Sequence, residues 1–278
     1  MKLSVINTGF FKLDGGAMFG VVPKSIWQKT NPADEQNLCT WAMRCLLVEV
    51  DKQLMLIDNG IGDKQDSKFF SHYHLSGSDS LVSSIRQAGY DTNEITDMFL
   101  THLHFDHCGG GVRRKETGFE MVFHHARYWT NDEHWRWATE PNPREAASFL
   151  RDNILPMEES GHLHRLQKGQ TPLAGVEIFY ASGHTDKMMV PMIRYKEHTI
   201  CFMADLLPSV GHIPLPYVMG YDTRPLLTLE EKKSFLHEAA DRGYVLFFEH
   251  DPVNECCTVK HTEKGVRLDR TFPLREIL

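Results

Sequence analysis

No run of apolar residues in this chain is long enough to cross a bilayer or to form the core of a signal peptide. Met1 to Gly16 contains Lys2 and several apolar residues, but they alternate with polar ones. The expectation is a cytoplasmic protein without a membrane partner. Cysteine pairing motifs are also missing. The six cysteines stand at 39, 45, 108, 201, 256 and 257, which suggests no disulfide framework and fits a reducing compartment. With no Cys-x-x-Cys pair, a closed structural zinc site is disfavoured. A Lys/Arg-rich arm is absent, and Arg113-Arg114-Lys115 reads as a solvated turn. Together with a net charge of −7, this speaks against a nucleic-acid partner. There is no internal repeat and no low-complexity linker.

What is present is an ordinary globular composition, 41% hydrophobic and 24% charged over 278 residues. That length can bury a substantial core and is read as a single domain over 1–278. Lys2 to Phe10 alternates and predicts a strand. Leu13 to Asn37, rich in Gly, Pro, Asn and Asp, predicts a long loop. Cys45–Val50 and Leu54–Asp58 predict a strand pair, Ser78 to Gly89 a helix capped by Ser78, and Ile95–Leu100 and Glu120–Phe123 further strands. Residues 125–160 break the strand rhythm and predict a helical insertion. Tyr128, Trp129, Trp135 and Trp137 lie in its first half, and Glu145 to Leu155 reads as helical. These aromatics could wall a hydrophobic pocket or anchor the insertion, as could Met18, Phe19 and Trp27 earlier in the chain. Strands resume at Val176–Tyr180, Val190–Tyr195 and His198–Met203. Thr228 to Gly243 predicts a helix with Thr228 as N-cap and Glu231 completing a capping box. Val245–Glu249 predicts a strand, and Cys257–His261 with Val266–Thr271 a hairpin.

The densest chemistry lies in Thr101-His102-Leu103-His104-Phe105-Asp106-His107-Cys108-Gly109-Gly110. Four metal-competent side chains fall within six residues, a pattern that core packing does not produce. Neutral imidazoles with a carboxylate suit zinc, iron or manganese. His124-His125 and His162-x-His164 are also metal-competent but lack further partners, so they read as ordinary residues.

His102-Leu103-His104-Phe105-Asp106-His107 matches a His-x-His-x-Asp-His signature, and by it the chain resembles the metallo-β-lactamase-fold hydrolases. Ile57-Asp58-Asn59-Gly60 resembles that family's early strand-turn, and Gly183-His184-Thr185, Met203-Ala204-Asp205 and Phe248-Glu249-His250 resemble its later segments, in its order. The resemblance runs from about residue 42 to residue 252. It implies a mixed α/β, four-layer αββα sandwich with the helical insertion. It also implies two divalent metals, zinc first, with iron or manganese also fitting. His102, His104 and His184 would hold one metal, Asp106, His107 and His250 the other, and Asp205 would bridge. Asp58 would orient a ligand, and Asp106 would carry the proton to the leaving group.

The implied activity is a dinuclear hydrolase whose bridging hydroxide opens an ester or lactone bond, with acyl-homoserine lactones among the candidates. Its partner is a small-molecule ester or lactone, and a homodimer is left open. A phosphotriesterase-like hydrolase and an iron-dependent persulfide dioxygenase use the same scaffold and are the alternatives. Two departures bear on substrate. Ser182-Gly183-His184-Thr185-Asp186-Lys187 lacks the second Gly-His of many relatives. Pro208 stands where some lactonases place a substrate-contacting tyrosine, so His212, Tyr217 and Tyr221 are candidates for that contact, His212 first.

Overall fold

The computed structural model describes residues 1–278. The chain divides into two compact units. One comprises Met1–Gly9, Met43–Ser71 and Ser76–Ile178, the other Phe10–Ala42, His72–Leu75 and Phe179–Leu278. No helix is long and apolar enough to cross a membrane.

The first unit is built on a sheet that begins with β1 (Lys2–Asp14) and β2 (Leu38–Val50), of which Phe10–Asp14 and Leu38–Ala42 are assigned to the second unit, and continues with β3 (Gln53–Ile57) and β4 (Asp97–Phe99). A small antiparallel ribbon follows, β5 (Val112–Arg114) and β6 (Phe119–Met121). The chain then returns to the sheet with β7 (Arg127–Asn131) and β8 (Leu163–Leu166), giving the order β1-β2-β3-β4-β7-β8. β2 and β3 are antiparallel, while β3, β4, β7 and β8 run parallel. Leu54, Met55, Leu56 and Ile57 of β3 are all buried, as an interior parallel strand requires. The core includes Ile6, Leu47, Leu56, Met98, Tyr128, Trp135 and Met157. Each fully buried large aliphatic side chain contributes about 1.5–3 kcal/mol.

The second unit carries β9 (Val176–Ala181) from Phe179 onward, β10 (Met188–Tyr195), β11 (His198–Phe202), β12 (Val245–Phe247), β13 (Cys256–Thr262) and β14 (Gly265–Phe272). Its sheet order is β14-β13-β12-β11-β10-β9. β10–β11 and β13–β14 are antiparallel pairs, and β11–β12 is parallel. The helix Pro225–Arg242 buries Phe235, Leu236 and Ala239. It also buries Lys232, whose Nζ donates to the carbonyls of Pro214, Leu215 and Tyr217. Mixed α/β structure with several sheets matches the expected fold class.

Four local expectations are corrected. The stretch from Leu13 to Asn37 is not one loop: it contains helices Gly15–Phe19 and Lys24–Trp27. Asp14 caps the first by accepting from the Ala17 N–H. The helix after residue 78 runs Leu81–Gln87, and its cap is Ser80, which exchanges side-chain and backbone hydrogen bonds with Ser83. Residues 125–160 do not open helically: Arg127–Asn131 is a strand parallel to β4. Strand alternation sends Tyr128 and Trp129 to opposite faces, so a pair that reads as one aromatic cluster is split. Helix follows only at Asp132–Thr139 and Arg151–Glu159, with a single 3-10 turn at Ala146–Ser148. Finally, the long helix begins at Pro225, so Thr228 is not its cap. Its C-terminal Gly243 adopts the left-handed conformation that favours glycine.

Candidate metal centre

Parallel pairing decides where the candidate ligands emerge. In the first unit, β3 and β4 pair Ile57 with Phe99, so Asp58 and the segment Leu100–His102 leave the sheet at the same edge. In open α/β sheets, that carboxyl edge is where ligands bind. The Asp58 N–H continues the ladder to the Phe99 carbonyl at 2.9 Å. Asp58 itself takes φ of +55°, a conformation costly for a residue with a Cβ. Its Oδ1 accepts from the Thr101 N–H at 2.8 Å, and its Oδ2 from the Thr101 hydroxyl at 2.6 Å and from His107 Nδ1 at 3.0 Å.

These bonds fix ring tautomers. Because the Thr101 hydroxyl hydrogen goes to Asp58, its oxygen is left to accept from His102 Nδ1 at 3.0 Å. His102 Nε2 is therefore the bare nitrogen, and His107 Nε2 is bare by the same reasoning. His104 is reversed: its Nε2 meets Glu145 Oε1 at 3.0 Å, leaving Nδ1 free of a proton, 3.1 Å from His102 Nε2. The four-residue helix Phe105–Cys108 then sets Asp106 Oδ2 3.7 Å from His107 Nε2. Gly109 and Gly110 close this segment. A Cβ on either would stand 2.1 Å from a backbone oxygen, of Ile61 and Asn59 respectively.

The second unit repeats the geometry. β11 and β12 pair Phe202 with Phe247 in parallel, and Asp205 and His250 each follow three residues later. Ala204 turns the chain with φ of +43°. Asp205 Oδ2 lies 3.1 Å from His184 Nε2, and Asp205 Oδ1 lies 3.1 Å from His250 Nε2. The other ring nitrogens are held from behind: His184 Nδ1 by Asp222 at 2.9 Å and His250 Nδ1 by the Ala42 carbonyl at 2.8 Å. Burial opposes a charge on His184, but Asp205 and Asp222 together overcome it and raise the imidazole to about 10.

The donor set suits a divalent cation. All seven candidate side chains are buried or nearly so. Each of the five histidines has one nitrogen held by an oxygen, a feature that orients metal ligands elsewhere. Two ligand atoms sharing a tetrahedral zinc at about 2.0–2.2 Å stand roughly 3.3 Å apart, and three of the spacings here are 3.1 Å. Asp58 contacts His107 in the manner the sequence suggests. Thr101, Glu145 and Asp222 were not singled out. Thr101 adjoins the motif and could have been; Asp222 and Glu145 carry no local signal.

Glu231 has a different task from the capping box expected of it. Its carboxylate accepts from the N–H groups of Ser182 and Gly183, at 2.7 and 3.0 Å. It thereby anchors the backbone that presents His184. Gly183 packs against the long helix so closely that a Cβ would stand 2.3 Å from Thr228 Oγ1 and 2.4 Å from its amide nitrogen. Gly183→Ala is therefore expected to destabilise the fold by about 1–3 kcal/mol and to weaken metal binding at His184. Chemical denaturation and a zinc titration check the two effects separately.

Several other expectations change. Tyr128 donates its hydroxyl to the Gly111 carbonyl in the core, and Trp129 Nε1 donates to Asp97. Trp135 is buried in the same core and Trp137 Nε1 donates to Glu145. Tyr128 and Trp135 thus anchor this segment in the core, while Trp129 and Trp137 are half-buried. Met18, Phe19 and Trp27 are likewise buried.

His212 is not free to meet a substrate carbonyl. Its Nε2 donates to the Met18 carbonyl and its Nδ1 pairs with the Ser209 hydroxyl, both at 2.9 Å, while its ring stacks on Phe19. Burial pushes it down to about 3, so it stays neutral. Cys108 is buried and pushed up to about 12 by that burial, which suits packing rather than nucleophilic attack. His162 bonds to the His124 carbonyl and Ser160, and forms no metal-competent group with His124, His125 or His164. Arg113 and Lys115 pair with Glu120, with Arg113 and Arg114 on strand β5 rather than in a turn.

The profile of the Metallo-beta-lactamase superfamily matches residues 44–250. The N-acyl homoserine lactonase AiiA of Bacillus thuringiensis subsp. kurstaki is 22% identical over 249 residues, covering 82% of this chain and 87% of that protein. A probable metal-dependent hydrolase from Staphylococcus aureus superposes with a TM-score of 0.88 at 25% identity, covering 98% of this chain and 96% of its own. AidC, a dizinc quorum-quenching lactonase, shares the fold with a TM-score of 0.80 at 21% identity, over 98% of this chain and 95% of its own. The chain belongs to the metallo-β-lactamase superfamily and is a metal-dependent hydrolase.

Proposed function

We propose that this protein hydrolyses a small carboxylic ester or lactone with two divalent metals, zinc first among them. His102, His104 and His184 would hold one ion, and Asp106, His107 and His250 the other, with Asp205 shared. The observation that carries the reading is the Asp205 carboxylate, which offers one oxygen toward His184 and the other toward His250, each at 3.1 Å. One carboxylate turned to two imidazoles in this way suits a bridge between two cations. When bound, such ions acidify a shared water and polarise the substrate carbonyl.

The chain's own residues do the rest. Thr101, Glu145, Asp58, Asp222 and the Ala42 carbonyl each hold one ring nitrogen of the five imidazoles, which leaves the other nitrogen of each to serve as the ligand atom. Asp106 would receive a proton and pass it to the leaving oxygen. The choice of a carbonyl substrate is supported by the lactonase relatives and by the intact ligand series. Tyr128 and Trp135 are buried, and Trp129 and Trp137 are half-buried with their indole N–H groups engaged, so no chain-length preference is drawn from these aromatics.

Elemental analysis of protein purified without chelator is expected to give two divalent ions per chain. A pH-stat screen is expected to show acid release from lactones and carboxylic esters. A stoichiometry fixed at one under metal supplementation would remove the dinuclear reading. Activity confined to phosphotriesters or persulfides would remove the carbonyl substrate.

A further inference from the structure

Glu145 lies between the helix Asp132–Thr139 and the 3-10 turn that precedes Phe149, far in sequence from the histidine motif. Its side chain is 3% exposed. One oxygen, Oε1, meets His104 Nε2 at 3.0 Å. The other, Oε2, accepts from Trp137 Nε1 at 2.7 Å and from Asn142 Nδ2 at 3.0 Å. Trp137 and Asn142 are pure or available donors, so a carboxylate that serves both on one side still accepts from His104 on the other. Phe149 packs its ring 4.8 Å from the His104 ring, and the Leu103 N–H donates to His134 Nε2 at 2.9 Å. The segment from His134 to Phe149 thus grips the His102–His104 turn at three points.

We propose that Glu145 is the positioning residue that sets the tautomer of His104, and that Trp137 and Asn142 enforce this by fixing which way Glu145 can hydrogen-bond. The inference rests on His104 being a metal ligand, as in the proposed function. A carboxylate has acceptors on both oxygens, so it requires the proton on His104 Nε2 and leaves Nδ1 bare. A glutamine of the same shape could not satisfy all three neighbours. Its amide oxygen would turn to the two donors, Trp137 and Asn142, and its NH2 would then face His104 Nε2. That ring nitrogen would have to accept, the proton would move to Nδ1, and the nitrogen meant for the metal would be blocked. Removing Trp137 as well leaves Asn142 opposing that arrangement without the indole, so the glutamine turns its oxygen toward His104 more readily.

The test uses the full chain and Zn2+ alone, titrated in competition with a chromophoric chelator. Glu145→Gln is expected to weaken Zn2+ binding by about 10–100-fold, the range for lost outer partners of metal-binding histidines. Circular dichroism of the metal-free variant should match wild type. The double variant Trp137→Phe with Glu145→Gln is expected to bind Zn2+ more tightly than Glu145→Gln alone, an outcome that a merely structural role for either residue would not produce. Long-range proton–nitrogen correlation of the histidine rings reads the tautomer directly. In metal-free wild type His104 should carry its proton on Nε2, and this measurement stands even if Glu145→Gln fails to fold. Unchanged affinity in Glu145→Gln, further loss in the double variant, or a wild-type His104 protonated on Nδ1 would each overturn the assignment. If wild type binds no Zn2+ while His104 is the Nε2–H tautomer, the metal reading fails and the role of Glu145 in orienting the ring does not.

Discussion

Asp205→Ala is expected to weaken Zn2+ binding by more than about 100-fold and to remove hydrolysis with it. Loss of a partner behind a metal-bound histidine already costs about 10–100-fold in affinity. Asp205 stands in front of the imidazoles, with one oxygen 3.1 Å from His184 Nε2 and the other 3.1 Å from His250 Nε2. Its removal deletes an anion from both halves of the proposed centre at once, so two cations would face each other with less charge between them. Asp205→Asn separates the contributions. It keeps one oxygen and loses the charge, so one ion should be lost more readily than the other. Equilibrium dialysis followed by elemental analysis reads both variants. Two tightly held ions in Asp205→Ala would exclude a bridging role, whatever the activity.

The features that were legible in the sequence share a physical reason: they are local. Four candidate ligands crowd into His102–His107, and strand periodicity before them places the motif at a sheet edge. The apolar strands around residues 54–58, 95–100 and 245–249 were recognisable because interior parallel strands are apolar on both faces. Misreadings arose where distant residues decide the outcome. Ser-Gly-Ser-Asp-Ser before Leu81 offers several caps, and only the reciprocal bonds between Ser80 and Ser83 select one. Glu231 lies at capping-box spacing from Thr228, but Pro225 starts the helix earlier and the carboxylate serves Ser182 and Gly183 instead. Tyr128 and Trp129 are adjacent in sequence and separated by the pleat. His212 looked available until the Met18 carbonyl, 194 residues away, took its Nε2 proton. Glu145 and Asp222 had no pattern of their own, because a residue that orients a histidine needs only to reach it.

Asp106→Asn is expected to lower kcat by about 10²–10⁴-fold, the span for loss of a positioned acid–base group, while the fold remains intact. Asparagine matches aspartate in shape, so the short helix Phe105–Cys108 and the packing of Gly109 on Ile61 should persist. What it lacks is the ability to take and return a proton. Asp106 also counts as a candidate ligand, its Oδ2 3.7 Å from His107 Nε2, so the variant would hold one ion less firmly. The two roles separate under saturating Zn2+. Activity recovered by added metal reports the ligand role, and the loss that remains reports proton transfer. Leaving-group dependence adds a second discriminator. An alkoxide leaving group, as in an aliphatic lactone, needs protonation, whereas a nitrophenolate does not. The loss in Asp106→Asn should therefore be large for aliphatic lactones and small for nitrophenyl esters at saturating metal. Equal losses for both substrates would remove Asp106 from the proton path and leave it as a ligand alone.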